Sequence, residues 1–168
     1  MEQGSAINSG TIMTVFKKIL VAIDFSSYSN KVAEHAIRLA KELKSELIFI
    51  NVLNQQQINL IQQTLEKINY NNERFSLAEY IEELVEERET EMELLVKEMV
   101  SNGISYKIEI HTGVPFKELL AAVEEHKADM VVMGAKGKTD IKEVLVGSTA
   151  IKMFRRCPVP LVSIREQN

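Results

Sequence analysis

Little in this chain can be cross-linked or threaded through a membrane. Its one cysteine, Cys157, has no partner for an internal disulfide. No apolar run approaches the roughly 20 residues that a bilayer-spanning helix needs. Basic residues are not in excess: 20 Lys and Arg stand against 24 Asp and Glu, a formal net charge of −4. The broad positive surface that nucleic acid or an anionic membrane would require is therefore missing. Residues 1–14 lack both the basic n-region and the apolar h-region of a secretory signal, and read as a flexible polar tail. These absences point to a cytoplasmic protein with neither nucleic acid nor membrane as partner.

Catalytic signatures are missing too. There is no Gly-x-Ser-x-Gly elbow and no Gly-x4-Gly-Lys-Ser/Thr phosphate loop. None of His35, His111 and His126 is followed by ligands at metal-binding spacing, so neither a catalytic residue nor a protein-held metal is expected. Cys157, beside Pro158 after a helix, reads as packed rather than nucleophilic.

What is present is a regular alternation. With 45% of its 168 residues hydrophobic, the chain suits one substantial core. From residue 17 onward, short β-branched runs alternate with helical patterns, the mark of βαβ units and a mostly parallel sheet. Strands are predicted at 19–23, 47–52, 104–110, 129–133 and 159–164. Ala33, Ala36, Ile37, Ala40 and Leu43 recur at helical spacing over 29–44, with Ser26, Ser27 or Ser29 as the cap. Residues 54–76 form a variable insertion rich in Asn and Gln, in which Ile58, Ile61, Leu65 and Ile68 mark a short amphipathic helix. A long helix over 77–101 turns Ile81, Leu84, Val85, Met92, Leu95, Val96 and Met99 inward and a glutamate-rich face to water. Gly113-Val114-Pro115 opens a helix with Leu119, Leu120 and Val123 inward, proline being suited to a first helical turn. The last helix covers 147–155. Pro158 and Pro160 bracket the start of the last strand and mark it as a sheet edge, which a partner subunit can cover.

Right-handed crossovers put every strand's carboxyl end on the same side. Asp24, Val52, His111 and Gly134 then gather at one rim, where open α/β sheets bind ligands. At that rim Met130-Val131-Val132-Met133 runs into Gly134-Ala135-Lys136-Gly137, then nine residues, then Gly147-Ser148-Thr149. Glycines let backbone N–H groups approach an anion, a helix N-terminus adds partial positive charge, and the hydroxyls donate hydrogen bonds. The pattern is that of a triphosphate cradle. Each part also has a plainer reading: the glycines as tight turns and helix capping, Asp24 as a cap or a solvated rim residue, and Lys136, Lys138 and Lys142 as surface lysines.

The ordered blocks resemble the universal stress proteins, in particular the branch that binds ATP, over nearly all of residues 16–164. The family's Gly-x2-Gly-x9-Gly-Ser/Thr signature is matched by Gly134, Gly137, Gly147 and Ser148. Further matches are the opening Lys-Ile-Leu-Val-Ala-Ile-Asp-Phe-Ser from Lys18, the Gly113-Val114-Pro115 turn, the run from Asp129 into Gly134, and Cys157-Pro158-Val159-Pro160. The resemblance implies a single α/β domain over 15–166, a three-layer sandwich of the adenine nucleotide alpha hydrolase type. Its five-stranded, mostly parallel sheet would have the order 3-2-1-4-5, with helices on both faces.

The resemblance also implies a ligand and a way of holding it. Ala22, Ile23 and Asp24 would line the nucleoside pocket, Val52 would meet adenine through its backbone, and Met133 would flank the base or ribose. Gly134, Gly137, Gly147, Ser148 and Thr149 would surround the phosphates, with Lys136 adding charge, and Mg²⁺ or Mn²⁺ would be carried by the phosphates. A homodimer would form along the last strand through Val159, Leu161, Val162 and Ile164. The implied role is a nucleotide-dependent stress sensor or switch with at most slow ATP hydrolysis.

The chain departs from the family pattern in three places. Ala22 stands where proline is frequent, Ile23 where a hydroxyl is frequent, and Thr149 carries a hydroxyl one position earlier than usual. Two other functions remain open. One is a nucleotide-free interaction or holdase protein using the insertion helix. The other is an adenylyl-transferring enzyme, whose His-x-Gly-His turn is here Asp24-Phe25-Ser26-Ser27.

Overall fold

A computed structural model describes residues 16–69, 76–100, 103–136 and 146–165. The expected tail at 1–14, the segment 70–75, and the loop residues Gly137, Lys138 and Lys142 lie outside the described residues. The elements run β1 (Lys18–Ala22), α1 (Ser29–Leu43), β2 (Glu46–Asn54), α2 (Gln55–Asn69), α3 (Leu77–Lys97), β3 (Tyr106–Gly113), α4 (Pro115–His126), β4 (Met130–Gly134), α5 (Ser148–Arg156) and β5 (Leu161–Ile164). The five strands form one sheet in the order β3-β2-β1-β4-β5, and every pair is parallel.

A parallel sheet needs crossovers, and its crossover helices cover both faces. That is why β1, β2 and β4 read as near-continuous apolar runs instead of alternating with polar residues. Ile19, Val21, Leu47, Phe49, Met130 and Val132 face one core with α1 and α3, including Met92 and Val96 of α3. Leu20, Ile48, Ile50, Val131 and Met133 face the other, with Leu119 and Val123 of α4 and Met153 of α5. The base of the sheet is tied by Asp129 Oδ2, which accepts from Lys17 N at 2.7 Å and Lys18 N at 2.9 Å.

Several boundaries move from their sequence-predicted places. β1 stops at Ala22, and β2 and β3 run on together to the pair Asn54 and Gly113. β3 begins at Tyr106 because Leu47 N–H already takes Ser105 O at 2.9 Å, which fixes the register. α3 ends at Lys97. β5 starts at Leu161, so Val159 precedes it: Pro158 and Pro160 have no N–H to donate, although Pro160 O still accepts from Val131 N at 2.9 Å. Ile164 is buried in the α1-side core and is not presented along the edge. The insertion holds the whole of α2, which starts where β2 ends, with Asn54 Oδ1 accepting from Gln56 N and Ile58 buried.

A polar cluster joins the edge strand β3 to α4. Glu109 Oε2 accepts from His126 Nε2 at 2.9 Å and His111 Nε2 at 3.1 Å, and Glu118 Oε2 lies 3.9 Å from His111 Nδ1. Burial by itself would raise the Glu109 pKa, but the hydrogen bonds and charge of the two histidines outweigh it and hold the carboxyl below its ordinary range.

Two outcomes follow for stability. Met92→Ala should cost about 2–5 kcal/mol in chemical denaturation by opening a cavity under α3, whereas truncating the exposed Leu94 should change it by less than about 0.5 kcal/mol. A depressed folded-state pKa means that the Glu109 contribution is present above the unfolded carboxylate range and is lost as pH falls through the folded value. Glu109→Gln should therefore be less stable than the unaltered protein at neutral pH, and the gap in urea midpoint should close on acidification.

Candidate ligand cleft

Strand alternation decides which side chains reach the carboxyl rim together. β1 lies between β2 and β4, so Ala22 stands opposite both Ile50 and Met133. Two residues past Ile50 on β2, Val52 shares the face of Ala22 and Met133, which is the α4 and α5 side. These three apolar side chains floor a cleft of about 300 Å³ at the rim. That volume is at the small end of the range for ligand sites.

Around the floor stand the loops. Ile23 and Asp24 continue β1 into the cleft, and Ile23 N donates to Ile50 O at 2.9 Å. The buried Asn51 returns the tie, its Nδ2 donating to Ile23 O at 2.7 Å, so a carbonyl just past the end of β1 is satisfied by a side chain. Asp24 Oδ1 accepts from Ser26 N at 3.1 Å and Ser29 Oγ at 3.4 Å, which shapes the loop into α1. Its Oδ2 has no hydrogen-bond partner among the described residues.

On the opposite side, Gly134, Ala135 and Lys136 leave β4, and Gly147, Ser148 and Thr149 begin α5. A hydrogen bond from Gly147 N to Ala135 O, 2.7 Å long, draws these two turns together, and Ala135 N donates to Ile164 O of β5 at 2.8 Å. A Cβ on Gly134 would stand 3.0 Å from Lys136 O, closer than a tight turn readily allows. α5 has no side-chain cap and no acidic residue in its first turn. The partial positive charge of its N-terminus is therefore not neutralised by the helix itself.

Of the residues singled out in the sequence, Ala22, Ile23, Asp24, Val52, Met133, Gly134, Lys136, Gly147, Ser148 and Thr149 all line this cleft. Gly137 lies outside the described residues. His111 stands in register with Val52 but turns to Glu109 and Glu118, and it does not line the cleft. Sequence reasoning missed a second wall: Asn54 at the end of β2, Gln57 at the start of α2, Leu84 and Arg88 of α3, and Pro115 and Leu119 of α4. One signal was available, since Arg88 is the single basic residue from Leu77 to Val96.

For a divalent ion the protein offers little by itself. Among the described residues no group of three or more His, Cys, Asp or Glu side chains could hold one. The hard oxygen donors at the cleft, Asp24, Ser148 and Thr149, suit an ion that arrives with its own phosphate ligands. Among the described residues no helix is long and apolar enough to cross a membrane.

Comparison with known proteins agrees with this architecture. The family model described as "Universal stress protein family" matches residues 16–165. Universal stress protein MJ0577 of Methanocaldococcus jannaschii is 29% identical over 160 residues, covering 92% of this chain and 98% of its own. Universal stress protein MJ0531 of the same organism is 31% identical over 153 residues, covering 90% and 84%. The solved structure of MJ0577 superposes with a TM-score of 0.74 at 26% identity, over 92% of this chain and 99% of that one. More distant structures share the fold: a universal stress protein in complex with cAMP has a TM-score of 0.56 at 19% identity, covering 89% and 97%. Another, from Archaeoglobus fulgidus in complex with dAMP, has 0.55 at 15%, covering 90% and 99%. With the family model matched from the start of β1 to the end of β5, this chain belongs to the universal stress protein family.

Proposed function

We propose that the chain binds ATP, or another adenine nucleotide, in this cleft and acts as a nucleotide-dependent stress-response switch with at most slow hydrolysis. The observation that carries the reading is the Gly147 N–H to Ala135 O bond. It brings the uncapped N-terminus of α5 beside the Gly134 turn, so that backbone donors and a helix dipole address one anionic group. Ser148 and Thr149 add hydroxyls to the phosphates, and Lys136 adds charge. Ala22, Val52 and Met133 give the base an apolar surface, and Asp24 Oδ2 accepts from a ribose hydroxyl. Mg²⁺ or Mn²⁺ enters with the phosphates. The cAMP and dAMP complexes of the two distant family members support the ligand class.

The switch has a physical route. Ala135, whose carbonyl takes Gly147 N–H, donates its own N–H to Ile164 of the edge strand β5. A phosphate that favours one arrangement of the glycine turn thereby biases β5. We assign β5 as the homodimer seam, with its open edge and Leu161, Val162 and the preceding Val159 facing the symmetry mate. Sedimentation velocity should give a dimer, and a monomer at all working concentrations rejects the seam.

Binding is read by thermal shift and calorimetry. Free ATP at a hundredfold its dissociation constant should add about 2.7 kcal/mol of stability, and no heat together with no shift rejects the reading. Ser148→Asp places a negative charge where a helix N-terminus tolerates it but a phosphate does not. The variant should keep the unliganded melting temperature and its response to adenosine while losing most of its response to ATP.

A further inference from the structure

Arg88 stands where the spacing of α3 calls for an apolar side chain. Leu84 and Val85 lie one turn before it and Met92 one turn after, so it shares the stripe that turns toward the protein. Its side chain is only 20% exposed. The guanidinium lies over the Phe25 ring, 5.1 Å from the centroid, and its one hydrogen-bond acceptor among the described residues is Glu91. Five N–H donors on a rigid plane are more than one carboxylate uses.

The platform beneath it is built. Phe25 follows Asp24 directly and holds a left-handed backbone, φ 56°, an uncommon state for a bulky residue that persists only where its surroundings enforce it. The enforcement is visible: Asp24 Oδ1 accepts from Ser26 N and Ser29 Oγ, and Ser29 N donates to Ser26 O at 3.0 Å. An arginine stacked on that ring is pre-set in the wall of the cleft rather than swinging in solvent.

Its position separates it from the phosphate cradle. α3 packs on β3 and α1, while Lys136 leaves β4 and α5 leads to β5, with β1 between the two sides. Resting on the adenine-nucleotide reading, which puts the phosphates at α5, we propose that Arg88 is a specificity-determining residue that binds the nucleoside end of the ligand. Its unused N–H groups donate to the acceptors of base and ribose, with Gln57 on the same wall. Through Gln57, α2 of the insertion is part of the same ligand wall.

The test measures adenosine, AMP and ATP affinities for the unaltered protein, Arg88→Ala, Arg88→Lys and Glu91→Gln, with unliganded melting temperatures alongside. Loss of a charged donor should weaken adenosine and ATP by the same factor, about tenfold or more, in Arg88→Ala. Arg88→Lys keeps the charge without the planar fork and should fall between; it also carries the comparison if the alanine variant fails to fold. Glu91→Gln removes only the carboxylate charge paired with Arg88, keeping an amide oxygen as acceptor, and should leave adenosine affinity unchanged. Arg88→Ala weakening ATP but not adenosine, or Glu91→Gln reproducing its loss, overturns the assignment. Failure of the unaltered protein to bind any adenine nucleotide sinks the nucleotide reading itself, and this assignment with it. Normal binding that is indifferent to Arg88 sinks the assignment alone.

Discussion

Parallel pairing of β1 with both of its neighbours is the constraint on which the cleft rests. One register sets Ala22 against Ile50 and Met133 at once, and side-chain alternation then sends Ala22, Val52 and Met133 to the same face. Past its end the ladder is kept closed by Asn51, whose amide meets Ile23 O inside the protein. Leaving that carbonyl unpaired would cost about 1–3 kcal/mol, so the floor of the cleft is held as firmly as the sheet beneath it.

Electrostatics divides the molecule in a way that the net charge hides. The overall balance is −4, and α3 carries eight glutamates between Leu77 and Lys97. Yet Lys136, Arg88 and the uncapped end of α5 face the cleft, with Asp24 as its one carboxylate among the described lining residues. A net negative charge discourages nonspecific polyanions, while these positive groups stay local to the cleft. The Glu109, His111 and His126 cluster belongs to a different job, fastening the edge strand β3 to α4 away from the cleft.

Much of this was legible in the linear chain because it depends on short-range patterns. Apolar runs with helical segments between them mark a parallel sheet, and the Gly134 and Gly147-Ser148 blocks mark a strand-end turn and a helix start whatever the surrounding fold. Ten of the eleven residues chosen from the sequence line one cleft. Boundaries were less legible where tertiary pairing extends a strand, as with Asn54 and Gly113, or where Pro158 and Pro160 delay one, as at β5. Ile164 reads as an edge residue in the sequence, but it joins the core on the α1 side of the sheet and is buried.

By itself, then, the sequence determined the α/β class, the order of its elements and the glycine-hydroxyl turns, since periodicity and backbone freedom are local properties. The second wall was decided only in three dimensions. Arg88 looks like one more charge on a glutamate-rich helix until α3 packs against α1 and carries its guanidinium onto Phe25, 63 residues earlier in the chain. No pattern within one helix encodes which distant ring will lie beneath it, because that is fixed by how two cores pack on opposite faces of one sheet.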